Sequence, residues 1–164
     1  MKHILSLFCL LHLFLVSFAQ REIKQVKIEE VEQLIAGSET PLVINFWATF
    51  CAPCIKEMPY LSSITDSMAK TTPVKLVFVS LDMKESYPEK IARFLDKKKI
   101  PDSCIWLNET NADHFCPKID EKWSGSIPAT LFVHQKTGYY KFLEQELTPE
   151  EYRQQLVQLV QHKK

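Results

Sequence analysis

Two cysteines carry the strongest chemical signal in the sequence. Cys51 and Cys54 are separated only by Ala52-Pro53 and follow Pro41–Trp47 (PLVINFW), a run rich in β-branched and aromatic residues. Such a run predicts a strand buried on both faces. The residues from near Cys51 towards Ala69 predict a helix, so the cysteine pair sits where strand gives way to helix. A helix start offers unpaired amides and the positive end of the dipole, and both favour a negative charge. Cys51 is therefore placed for its thiolate to be stabilised, and Cys54, one turn further in, is more shielded. A thiol lowered from about 8.5 to about 7 gains roughly 2 kcal/mol of thiolate stabilisation. The chemistry this permits is disulfide exchange: Cys51 attacks and forms a mixed disulfide, which Cys54 then resolves.

The remaining cysteines depend on the compartment. Met1-Lys2-His3 precedes the apolar run Ile4–Phe18, and Ser17-Phe18-Ala19 supplies small residues at a cleavage position. This is the pattern of an export signal over residues 1–19, leaving a single domain over 20–164. At roughly 15 residues the run is short for a bilayer span of about 20, which disfavours an uncleaved anchor. Cys9 lies inside that run and would be discarded with it. Exported thiols meet an oxidising environment, so Cys104 and Cys116 are candidates for a structural disulfide. The alternative is two buried apolar thiols.

The elements that must position the pair follow from periodicity. Glu29–Ala36 reads as a helix stopped by Gly37, and Val74–Leu81 as a second central strand. Pro88–Lys98 reads as a helix with Ile91, Phe94 and Leu95 on one stripe, and Ser103–Leu107 as a short strand. Thr110–Trp123 reads as helical, interrupted by Pro117. Ala129–His134 and Tyr139–Leu143 flank Gln135-Lys136-Thr137-Gly138 as a hairpin. Thr148-Pro149-Glu150-Glu151 starts a closing helix with an N-cap, a proline at the first position and a glutamate at the third. Strands alternating with helices, then a hairpin and a last helix, predict an α/β protein, a three-layer α/β/α sandwich with a mixed central sheet.

The stretch Trp47-Ala48-Thr49-Phe50-Cys51-Ala52-Pro53-Cys54, in its strand-to-helix context, closely resembles the thioredoxin superfamily. The chain over roughly residues 25–162 resembles the TlpA/ResA-like branch of exported thiol–disulfide oxidoreductases. Pro59 falls where the family's active-site helix carries a kinking proline, and Ile127-Pro128-Ala129-Thr130 matches the family's cis-proline loop. The resemblance implies that Cys51 and Cys54 are catalytic. It also implies that Trp47, Ala52, Pro53, Ile127 and Pro128 contribute to the surface receiving a substrate polypeptide. The implied partners are cysteine-containing proteins and a membrane or periplasmic electron donor, met by a monomer in a periplasmic or other extracytoplasmic space. Reducing roles, including the freeing of haem-binding cysteines in cytochrome c maturation, are common in that branch.

Two positions depart from the wider family. Asn45 stands where many thioredoxins carry a titrating aspartate. Glu57, three residues after Cys54 and on the same helical face, matches an acid of ResA-like proteins and could accept the inner thiol's proton. The alternative is a solvated helix residue. The second departure is length: an added helix and strand near residues 88–107 fits a TlpA-like central insert, readable either as a selectivity element or as scaffold.

Composition narrows the remaining possibilities. The 164 residues are 46% hydrophobic and 24% charged, with 20 basic against 20 acidic side chains, which excludes disordered and coiled-coil classes. A neutral balance gives no electrostatic reason to expect nucleic acid. The dithiol itself carries two electrons, so no cofactor is expected. The competing function is a metal-binding or metallochaperone module using the same cysteines as thiolate ligands, with His114 or His134 as neighbours. A further one is a binding module whose disulfide is only structural.

Overall fold

The computed structural model describes residues 21–163, so the expected export signal over 1–19, with Cys9, lies outside the described residues. Six strands and five α-helices follow in the order β1 (Lys24–Val26), α1 (Ile28–Ala36), β2 (Leu42–Trp47), α2 (Ala52–Ala69), β3 (Lys75–Ser80), α3 (Glu89–Lys98), β4 (Ser103–Leu107), α4 (Ala112–Ile119), β5 (Ala129–His134), β6 (Tyr139–Leu143) and α5 (Pro149–Gln161). The strands form one sheet in the order β1-β4-β3-β2-β5-β6. β2 pairs with β3 in parallel and with β5 antiparallel, so the sheet is mixed.

Every residue of β2 is buried, as expected of a strand with helices over both faces. On one face Met58, Leu61 and Ile64 of α2, Ile91 and Leu95 of α3, and Tyr152, Leu156 and Leu159 of α5 close over Val43, Phe78 and Phe132. On the other, Val31 and Ile35 of α1 and Phe115 and Ile119 of α4 close over Ile44, Phe46, Val79 and Leu131. The result is the three-layer sandwich of alternating side-chain directions.

Strand β1 has no counterpart in the sequence reading. At three residues it is too short for a period to show, and it forms by pairing with the edge of β4. The helix expected over Thr110–Trp123 is shorter, ending at Ile119. Trp123 turns back instead, its ring 4.5 Å from that of Phe46 and its Nε1 donating to the Ser126 carbonyl at 2.9 Å.

The suggested Cys104–Cys116 disulfide does not form; both thiols are unbonded and buried. The sheet itself separates them. Cys104, on β4, belongs to the α2/α3/α5 side, whereas Cys116, on α4, belongs to the α1/α4 side. Burial pushes the Cys104 thiol up to about 12 and the Cys116 thiol up to about 11.

α5 starts with a complete capping box: Thr148 Oγ1 accepts from Glu151 N at 3.2 Å, and Thr148 N donates to Glu151 Oε2 at 2.8 Å. Replacing Thr148 with Ala is expected to cost about 1 kcal/mol. The urea midpoint should fall with an unchanged slope; an unchanged midpoint would show that the cap contributes nothing.

Candidate active site

The site forms where β2 and β3 end side by side. Leu81 N donates to the Trp47 carbonyl at 2.8 Å, and Cys51 N donates to that of Ala48 at 3.0 Å, turning the chain into α2. Cys51 is the N-cap of this helix, and Cys54 N reaches its Sγ at 3.3 Å. The sulfur thus occupies the position of the acceptor that caps a helix, where amide hydrogens and the dipole favour an anion. Cys51 and Cys54 are joined in a disulfide with 5.3 Å between their Cα atoms. Cys51 is 7% exposed and Cys54 fully buried, so only the outer sulfur meets an incoming partner.

Ile127 and Pro128 lie across from the disulfide, with the Ile127 carbonyl oxygen 3.7 Å from Cys51 Sγ. The Ile127–Pro128 peptide bond is cis, as is Tyr87–Pro88. Ala52 and Pro53 are exposed beside the pair, Ile127 is half-buried and Pro128 is buried. Trp47 belongs elsewhere than the sequence suggests. It is fully buried with its ring 5.3 Å from that of Phe94, so it supports the site from beneath and offers no surface.

Glu57 is not a solvated helix residue; it is fully buried. Its Oε1 accepts from Asn45 Nδ2 at 2.8 Å, and its Oε2 from Leu147 N at 3.0 Å. Asn45 Nδ2 also donates to Thr130 Oγ1 at 3.0 Å, an approach fixed by the register that sets Asn45 opposite Thr130. Desolvation outweighs these bonds and pushes the carboxyl up to about 7. The Leu147 carbonyl in turn accepts from Tyr60 Oη at 2.6 Å, so the segment entering α5 is fastened to α2 at two points.

A second buried carboxyl escaped the sequence reading. Asp82 accepts from Thr49 N at 3.0 Å, Thr49 Oγ1 at 2.5 Å and Ser80 Oγ at 2.9 Å, bracing the turn that presents Cys51. The signal available was its place just past a buried strand, where a charge needs partners. Among the described residues no group of three or more His, Cys, Asp or Glu side chains could hold a metal ion. His114 lies across the sheet from the disulfide, on α4, with Nε2 3.8 Å from Glu29 Oε1.

A mixed sheet whose central strand delivers a Cys-x-x-Cys disulfide to a helix N-terminus, facing a proline loop, defines a thioredoxin-fold protein. The chain belongs to the AhpC/TSA family, which it matches over residues 15–137. It is 35% identical over 68 residues to the chloroplastic M-type thioredoxin of Pisum sativum, covering 42% of this chain and 37% of that protein. It is 36% identical over 64 residues to the thiol-disulfide oxidoreductase ResA of Oceanobacillus iheyensis, covering 37% and 33%. The chain therefore spans about a third of the length of these relatives. Among solved structures, a thioredoxin-related protein from Neisseria meningitidis serogroup B superposes with a TM-score of 0.59 at 25% identity, over 75% of this chain and 84% of that one.

Two outcomes test the buried carboxyls. Replacing Asp82 with Ala strands three donors and is expected to lower stability by about 2 kcal/mol or more in denaturant melts. For Glu57 the folded pKa lies above the unfolded one, so the native state holds the extra proton between about 4.5 and about 7. Its burial therefore weakens the fold as pH rises through that window, by on the order of 3 kcal/mol in full. Glu57→Gln should gain stability relative to the parent on going from pH 5 to pH 8; a pH-independent difference would show an unshifted carboxyl.

Proposed function

We propose that this protein is a thiol–disulfide oxidoreductase that exchanges electrons with cysteines of partner proteins through Cys51 and Cys54. One observation carries the reading: the disulfide sits at the mouth of α2 with Cys51 as N-cap and Cys54 sealed behind it. In the reduced state the Cys51 thiolate attacks a partner disulfide and releases one partner thiolate. Cys54 then attacks Cys51 Sγ of the mixed disulfide, the Cys51–Cys54 bond forms, and the second partner sulfur leaves. The partner gains two electrons that the dithiol loses. The proton from Cys54 goes to Glu57, whose raised affinity for protons suits a base working near neutrality.

The cis-proline bend at Ile127-Pro128, with Ala52 and Pro53 on the opposite lip, is the surface assigned to the partner segment. The direction we infer is reductive and the setting extracytoplasmic, with residues 1–19 removed on export and electrons arriving from a membrane or periplasmic donor. The resemblance to the TlpA/ResA-like branch supports the direction and the export-signal pattern supports the setting, and haem-binding cysteines are one substrate class to examine.

A metallochaperone role has less support, because neither His114 nor any other described cluster completes a ligand set around the pair. Cys54→Ala separates the readings. The variant should accumulate reducible mixed disulfides with partner proteins through Cys51, and Cys51→Ser should accumulate none. Capture by neither, with stoichiometric zinc or copper bound to the parent, would overturn the enzymatic reading.

A further inference from the structure

The polar cluster beneath the disulfide leaves one buried atom without a partner. Asn45 is fully buried and both hydrogens of its Nδ2 are engaged, one by Glu57 Oε1 and one by Thr130 Oγ1. Its Oδ1 makes no hydrogen bond. Glu57 Oε2 is occupied by the Leu147 amide. Every neighbour bonded to Glu57 is thus a donor, an arrangement suited to a carboxylate, which only accepts. A proton arriving on Oε1 would point at an amide hydrogen.

A half-turn of the Asn45 amide removes that conflict. It exchanges an NH2 for an oxygen of nearly the same size, so no neighbour has to move. Oδ1 then accepts from the Glu57 O–H, and the Thr130 hydroxyl, which rotates freely between donating and accepting, donates to the same oxygen. Leu147 remains on Oε2. The buried group left unpaired becomes Nδ2 in place of Oδ1, and an orphaned N–H is the less tolerated of the two. The half-turn therefore holds only while the proton is present.

We propose that Asn45 is a positioning residue that reverses its amide whenever Glu57 gains or loses a proton, with the Thr130 hydroxyl reversing in step. The proposal rests on the reading of Glu57 as acceptor of the Cys54 proton. When the Cys51–Cys54 bond closes, the Cys54 S–H proton passes to the Glu57 carboxylate and the amide turns; loss of that proton to solvent restores the orientation seen beside the disulfide, and a proton returning through Glu57 to the leaving Cys54 thiolate turns the amide again. Glu57 thereby meets a complementary partner in both states. Thr130 stands two residues past Pro128, so the reversal reaches the root of the loop that faces Cys51. The other groups acting on Glu57 are Tyr60 of its own helix, Tyr152 of α5, and Glu146, which is paired with Lys56 at 2.6 Å. Burial raises both tyrosines well above neutrality, so they stay uncharged in this range.

Glutamine at position 57 makes a sharp test. Its carbonyl must face the Leu147 amide, so its NH2 faces Asn45 and requires the reversed orientation. The experiment is NMR of oxidised full-length protein carrying 13C-labelled Glu and 15N-labelled Asn side chains, titrated from acid to alkaline pH. The Asn45 amide protons should move upfield as Glu57 Cδ protonates, with the same midpoint, and Glu146→Gln should leave that step in place. In Glu57→Gln they should rest at the acid-limit position at every pH. A flat Asn45 signal beneath a titrating Glu57 Cδ, or Glu57→Gln spectra at the alkaline limit, overturns the reversal and leaves Glu57 as acceptor. A Glu57 Cδ that does not titrate, or Cys54 reactivity whose pH profile is unmoved by Glu57→Gln, overturns the acceptor reading and the reversal together.

Discussion

A carboxyl group sealed from water beneath a disulfide is the constraint that orders this molecule. Desolvation of such a group is expensive unless donors meet it. Here the donors come from segments far apart in sequence: Asn45 on β2 and the Leu147 amide ahead of α5. Thr130 on β5 then fixes the donor side chain. They converge because β5 runs antiparallel beside β2 with Asn45 opposite Thr130, and a slip of one residue would turn these side chains to the other face of the sheet. Register, helix packing and proton chemistry are therefore settled by one small cluster.

Much of the scaffold was legible because its signals are local. A six-residue run buried on both faces, a proline and capping box at Thr148, and a four-residue turn between apolar runs each identify an element within a few residues. The cysteine pair was legible for the same reason, since spacing within one helical turn fixes its geometry. What escaped depends on contacts across the fold. β1 exists only through its pairing with β4, and Asp82 matters only because Thr49 is brought to it. Trp47 reads as a site residue because it opens the motif that resembles the family's, yet it ends a strand covered on both faces and is packed into the core. Asn45 reads as an inert replacement for an acid until its two donors are seen to hold Glu57 and Thr130 together.

The added helix and strand were open to two readings, and their packing favours support. Ile91, Ala92 and Leu95 of α3 are wholly buried, and Phe94 reaches the Trp47 ring. β4 extends the sheet beyond β3, and Trp106 on it donates to the Asp82 carbonyl at 2.7 Å while stacking on Tyr87 at 4.3 Å. Through Trp47 and Asp82 the insert buttresses both residues from which the Cys51 turn is hung.

The sheet that parts Cys104 from Cys116 also decides which sulfurs can meet. In an unfolded chain, the four thiols of the described residues can join in three ways, and nothing in their spacing forbids a link between these two. The finished architecture cannot contain that link, because a wall of backbone and side chains stands between the sulfurs. Once the layers close, the two spare thiols are locked in separate apolar chambers, and among the described residues the sulfur pair left within reach of each other is the one at the mouth of α2.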